Sequence, residues 1–169
     1  SIPPTHRIGE IERPSWFRLE FAPDPRKHVT LLGLRALDGA EFTAMLNASL
    51  RDKPRPSAFV FVHGYNTGFD DAVYRLTQIV HDSGYPGTPV LFSWASGAKT
   101  TDYVYDKESA SVARDQLEVT LRMLQQSGAR CIDIVAHSLG TWVTMETLRQ
   151  LAITGDRDLG GKLGDVVLA

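Results

Sequence analysis

Several features that mark familiar protein classes are missing from this chain. It has one cysteine, Cys131, in 169 residues. No internal disulfide can form, and no Cys/His spacing suggests a metal site. No apolar run is long enough to span a bilayer. An excess of one charge sign is missing too. Eighteen Lys and Arg against 20 Asp and Glu leave a formal −2, which gives no general pull toward nucleic acid or an anionic membrane. The densest basic stretch, Arg51-Asp52-Lys53-Pro54-Arg55, reads as a solvated linker. No signal peptide is visible, and the chain starts at Ser1 without Met. A native N-terminus, with any signal, is expected to have been removed, so the compartment stays open. The five histidines (His6, His28, His63, His81 and His137) all precede residue 138, an absence that bears on the chemistry below.

What is present suits one soluble domain with a sizeable core. The apolar fraction is 43% and the charged fraction 22%, both ordinary for a globular chain. Residues 1–28 are rich in proline and charge and read as an extended arm. Trp16, Phe17, Leu19 and Phe21 could pin it to a surface, and the Phe17/Leu19/Phe21 alternation permits a short edge strand. The remainder, residues 29–169, reads as an α/β domain. Val29–Leu34 has strand propensity. Asp38-Gly39-Ala40-Glu41 resembles a capping box that opens an amphipathic helix to about Leu50. Ala58–Val62 is an apolar run without alternation, as in a strand buried on both faces of a parallel sheet.

A helix from Phe69 follows, with Gly84 as its stop. Val90–Trp94 is the next strand, and Ser96–Asp106 a loop that includes Tyr103. Ser109–Gln126 reads as a second helix of this series, Cys131–Val135 as a strand and Leu139 to about Ile153 as a further helix. Gly155–Gly164 is a polar loop, and Asp165–Ala169 starts another strand. Cys131, at the head of an apolar run, is expected to be buried and inert. Strands alternating with helices imply a mainly parallel sheet with helices on both faces. Active sites in such folds lie outside the carboxyl ends of the strands.

Two turns fall at that edge. Ala136-His137-Ser138-Leu139-Gly140 joins a buried strand to a helix with small residues on either side of the serine. That is the layout of a nucleophile elbow, in which a strained turn lifts a serine hydroxyl above the sheet. The alternative is a serine capping a helix N-terminus. His63-Gly64-Tyr65-Asn66 follows the earlier strand. A tetrahedral oxyanion needs backbone N–H donors, and Tyr65 and Leu139 fit the two donor positions. The alternative is an ordinary strand-to-helix turn with His63 in a structural role. His63, Asn66 and Trp94 are candidates to line a pocket, with core packing an equal possibility for Trp94.

These turns together resemble the α/β-hydrolase superfamily. The likeness is closer still to an uncharacterised bacterial α/β-hydrolase family known only as a domain of unknown function. It is carried by Phe59–Thr67, Pro89–Trp94, Tyr105–Ala110 and Ala136–Gly140, in that order, and covers about residues 55–169. Ser1-Ile2-Pro3-Pro4 also looks like the segment that precedes the domain in that family. The resemblance implies an eight-stranded type of sheet, a nucleophile at Ser138 and hydrolysis of a carboxylic ester or related acyl bond, on a small-molecule or lipid-like substrate. It implies no cofactor.

The superfamily order is serine, then acid, then histidine, and no histidine follows Ser138. Asp156 and Asp158 lie in a loop, and Asp165 sits at the wrong end of a strand. The base and acid are therefore expected beyond residue 169, on a C-terminal segment or a second chain that completes the sheet. Among the histidines present, His137 should diverge from its neighbour, His63 should order its loop, and His81 should lie far from the edge. A non-catalytic binding or scaffold domain with a dead elbow is the competing reading.

Overall fold

The structure, a computed structural model, describes residues 1–95 and 103–169. Four strands form one sheet: β1 (Ser57–Val62), β2 (Thr88–Phe92), β3 (Cys131–Ala136) and β4 (Leu163–Leu168). Their order is β2-β1-β3-β4, and every pairing is parallel. Four helices accompany them: α1 (Gly39–Arg51), α2 (Phe69–Ser83), α3 (Tyr103–Gln126) and α4 (Leu139–Ile153). None of the helices among the described residues is long and apolar enough to cross a membrane.

The apolar residues of the strands sort by parity. Ala58, Val60 and Val62 of β1 join Ile132, Ile134 and Ala136 of β3 against α1, α3 and α4. Phe59 and Phe61 turn to the other face and meet Leu76, Ile79 and Val80 of α2. β1 is buried along its whole length, as its unbroken apolar run requires when helices cover both faces. Leu117, Leu121 and Leu124 of α3 are fully buried in the larger cluster. Leu121→Ala should cost about 2–5 kcal/mol, because the surrounding sheet collapses only partly onto the space left behind; urea unfolding would measure it.

The helix ends follow the sequence signals. Asp38 Oδ1 accepts from the Glu41 N–H at 2.8 Å and Glu41 Oε2 accepts from the Asp38 N–H at 3.1 Å, so the capping box is complete. Gly84 ends α2 at φ 62°, a left-handed conformation that glycine adopts without a Cβ clash.

Other expectations are corrected. Val29–Leu34 is not a strand. The Val29 N–H donates to Glu12 O (2.8 Å) and the Thr30 N–H to Ser1 O (3.0 Å), so this backbone is partnered by the arm rather than by the sheet. The Phe17/Leu19/Phe21 alternation yields no strand either. Trp16–Arg18 form a single 3₁₀ turn, ended by Leu19 at φ 55°, and the aromatic side chains of Trp16, Phe17 and Phe21 are exposed.

β2 runs from Thr88 to Phe92 rather than from Val90 to Trp94. Pro89 is tolerated because β2 is an edge strand, and Trp94 leaves the ladder because its N–H donates to a side chain. α3 begins at Tyr103, six residues before the expected Ser109; the part of the expected loop at residues 96–102 lies outside the described residues. Cys131 is half-buried rather than buried. Its Sγ donates to Asp133 Oδ1 at 3.4 Å, and burial together with that carboxylate pushes the thiol pKa up, away from the reactive thiolate.

Candidate active site

The parallel pairing of β1 with β3 aligns Val62 with Ala136. The two strands therefore end level, and the turns after them, His63–Asn66 and His137–Ser138, lie side by side. They interlock through two glycines. A Cβ on Gly64 would stand 2.6 Å from His137 O and 2.7 Å from Ser138 Cβ. One on Gly140 would stand 2.5 Å from His63 O and 2.6 Å from Val62 O. No side chain fits at either point, so each turn requires a glycine in or just after the other.

Ser138 separates the two readings of its motif. It stands at the N-cap position of α4, but its side chain caps nothing. Its backbone is at φ 52°, ψ −126°, whereas a capping serine takes an extended conformation. A non-glycine residue there stores on the order of 1–3 kcal/mol of strain, held by its surroundings. The Ser138 N–H donates to Ala169 O (2.7 Å) and the His137 N–H to Val62 O (3.1 Å), which fixes the turn from both neighbouring strands. The Ser138 side chain is exposed, and its hydroxyl makes no hydrogen bond among the described residues. Ser138→Gly should raise stability by about 1 kcal/mol once the extra freedom of the unfolded chain is offset. Loss of an ordinary cap would instead give a small decrease in a thermal or urea melt.

The Leu139 N–H, at the first position of α4, has no acceptor among the described residues. It borders Ser138, the position an oxyanion donor would take beside a nucleophilic serine. Tyr65 is half-buried in the facing turn, its carbonyl accepting from Thr67 Oγ1 at 3.1 Å. Asn66 follows at φ 54°.

His63 is buried, 1% exposed, and its hydrogen bonds define its tautomer. The Trp94 backbone N–H donates to Nε2 (3.1 Å), as does Ser93 Oγ (3.3 Å). Nδ1 therefore carries the proton and donates to Gly64 O at 3.1 Å. Trp94 Nε1–H donates back to His63 O (3.0 Å), and the rings stack at 5.4 Å, 3° from parallel. The pair ties the ends of β1 and β2 together.

The candidate pocket residues divide between two cavities. His63 and Asn66, with Gly64, Thr67 and His137, line a cavity of about 650 Å³ on the α2 side. Trp94 lines a separate groove of about 610 Å³ between β2 and α3. A third space of about 700 Å³ lies within the arm and touches neither turn.

No histidine nitrogen bonds the Ser138 hydroxyl among the described residues. His6 and His28 are engaged with carboxylates, and His63 with Trp94. His81 lies in the last turn of α2, and His137 lines the cavity beside the serine. β4 begins at Leu163 rather than at the expected Asp165, and the Asp165 backbone N–H donates to Asp133 Oδ1.

A parallel sheet with helices on both faces, and a strained serine turn at its carboxyl edge, define an α/β-hydrolase-like architecture. The chain belongs to the family described as "Alpha/beta hydrolase of unknown function (DUF900)", whose pattern matches residues 38–169. Comparisons with curated proteins and with solved structures found no match.

Proposed function

We propose that the protein is a serine hydrolase of carboxylic esters or related acyl bonds. Ser138 is the nucleophile, and the backbone N–H groups of Tyr65 and Leu139 are the oxyanion donors. The observation that carries this reading is the backbone of Ser138, which has no structural use as a cap and presents an unbonded hydroxyl next to an unbonded N–H. The reaction begins with attack of Ser138 Oγ on the acyl carbon. The carbonyl oxygen gains the negative charge, and preorganised N–H donors stabilise it without reorganising.

A serine needs a base to take its proton. Because the five histidines present are otherwise placed or do not bond Ser138, this reading takes the histidine and its orienting acid from a segment outside residues 1–169. The substrate is a small or lipid-like acyl compound. The cavity lined by His63, Gly64, Asn66 and His137 of the two turns, though not by Ser138, Tyr65 or Leu139, is within the usual size of ligand pockets.

The test is labelling of the natural full-length protein by an alkyl fluorophosphonate. Wild type should label and Ser138→Ala should not. Labelling that survives the substitution would remove Ser138 from the mechanism. A folded wild-type protein that never labels would favour a binding domain with a dead elbow.

A further inference from the structure

The arm ahead of the matched family region is built into the cavity. Gly9, Ile11 and Arg13 line the same space as Asn66 and His137. The floor is apolar, from Phe61 and Val135. Both arginines on the lining, Arg13 and Arg75, are exposed. Arg13 pairs with Asp71 and lies over the Tyr74 ring at 5.0 Å. Arg75 donates to the neutral Gln78 amide oxygen (2.9 Å) and has no acidic partner among the described residues. Asp71 is on the same lining and offsets Arg13, which leaves Arg75 as the cation. Apolar lining residues with that one cation suit an aliphatic carboxylate, the acid product of ester hydrolysis.

Besides the exposed Arg13–Asp71 pair, a buried side chain joins the arm to the body. His6, 6% exposed at the side chain, bonds Glu12 Oε2 through Nδ1 (2.9 Å) and Asp82 Oδ1 through Nε2 (2.7 Å). Glu12 is on the arm and Asp82 in the last turn of α2. The Arg7 N–H closes the other Glu12 oxygen (2.9 Å), and the Gly9 N–H the other Asp82 oxygen (2.7 Å). Gln78 Nε2 also donates to Asp82 (2.6 Å), so the network reaches the cavity lining. An imidazole flanked by two carboxylates satisfies both only with both nitrogens protonated; the neutral ring points a lone pair at one of them.

We propose that residues 9–13 are the substrate-facing wall of this cavity and that protonated His6 is the clasp holding that wall against α2, so that aliphatic carboxylates bind between the arm and the two turns. The proposal rests on the hydrolase reading only for the chemistry of what enters.

The groups facing His6 are Glu12 from the arm, and Asp82 and His81 from α2, the last with its ring edge-on at 5.1 Å. Bonding to Glu12, then to Asp82, raises the His6 pKa from its ordinary 6.5, against burial. Burial works to raise Glu12, but bonding from His6 and the Arg7 N–H outweighs it and leaves the carboxyl lowered. Asp82 falls to about 2 through Gln78, the Gly9 N–H and His6. A raised histidine pKa contributes fully below the unfolded value and is lost as pH rises through the folded one; lowered carboxyls contribute above their unfolded values. The clasp is therefore at full strength between about pH 4.5 and 6.5 and is lost as pH rises through the raised His6 value.

Hydrogen exchange on the full-length protein tests the clasp without any need for activity. Corrected for intrinsic rates, peptides within residues 1–13 should exchange about tenfold faster at pH 9 than at pH 6, the effect of losing one charge-assisted hydrogen bond when His6 gives up its proton. Peptides from β3 should not change. His6→Gln and Asp82→Asn should exchange fast in the arm at both pH values. Equal arm protection at both pH values, or variants as protected as wild type, would overturn the clasp.

Hexanoate tests the wall by NMR, in Ser138→Ala so that turnover plays no part. At pH 6 the amides of Ile11 and Arg13 should shift together with those of Asn66 and His137, with binding at least about fivefold weaker in His6→Gln. Shifts confined to the turns, or none, would overturn the wall. Both readouts are independent of fluorophosphonate labelling, so a dead nucleophile and a wrong wall give different results.

Discussion

Gly140→Ala should destabilise the fold by about 3 kcal/mol, and Gly64→Ala by a similar amount. Added bulk in a packed site usually costs about 1–3 kcal/mol. The upper end applies because the atoms in the way belong largely to backbone. The new methyl at residue 140 meets the carbonyls of Val62 and His63, and the one at residue 64 meets His137 O and Ser138 Cβ. These carbonyls cannot rotate away like a side chain. Relief requires the end of β1 to part from β3, where the His137 N–H donates to Val62 O. For a domain of this size the loss is about 6–12 °C in Tm. The double variant should lose less than the sum, since parting the turns once relieves both contacts. Gly39 is the control. A Cβ there has Met123 as its nearest neighbour at 3.9 Å, within the first turn of α1, so Gly39→Ala should be neutral or stabilising by a few tenths of a kcal/mol. Calorimetry that finds all three variants alike would show that the interlock does not constrain the turns.

Why these turns were legible in the sequence, and others were not, has a physical basis. β1, β3 and the starts of α2 and α4 are fixed by local signals: an apolar run, a small residue at the turn, then helical spacing. The Asp38–Glu41 box and the Gly84 stop are likewise local. Errors fall where a distant partner decides. Trp94 belongs to no strand because its N–H is taken by His63, 31 residues away. Val29 and Thr30 have strand propensity, but Glu12 and Ser1 partner their backbone. His6 carried no signal at all, since one of its carboxylates lies 76 residues on. The site divides in the same way. The motif pointed to Ser138, but only its φ and ψ separate an elbow from a cap. The interlock of Gly64 and Gly140 depends on strand register, which the sequence does not state.

The second large effect concerns rate. Residues 1–169 alone should hydrolyse a simple ester such as p-nitrophenyl butyrate far more slowly than a protein with a full triad, by roughly 10³-fold or more, yet above the uncatalysed rate. Serine enzymes deprived of triad members keep about 10³–10⁴-fold catalysis over water from the oxyanion site and binding. On the proposed reading, that half of the apparatus is a strained serine with an unbonded hydroxyl and the Leu139 N–H beside it. The chain lacks a histidine bonded to Ser138 among the described residues, and an unassisted hydroxyl is a weak nucleophile. Two imidazoles line the cavity next to the serine, and His63 is held by Trp94, so His137 is the residue to eliminate. If it acted as the base, His137→Gln would lower turnover as far as Ser138→Ala does. Because its nitrogens make no bond to Ser138, His137→Gln should leave the residual rate within about threefold of wild type, while Leu139→Pro, which deletes the N–H donor, should lower it. Removing one such donor costs about 10²–10³ in a complete enzyme; with no histidine bonded to Ser138 among the described residues, the full factor should appear only where a base is supplied. A residual rate unmoved by Ser138→Ala would mean that surface groups, not this turn, account for it.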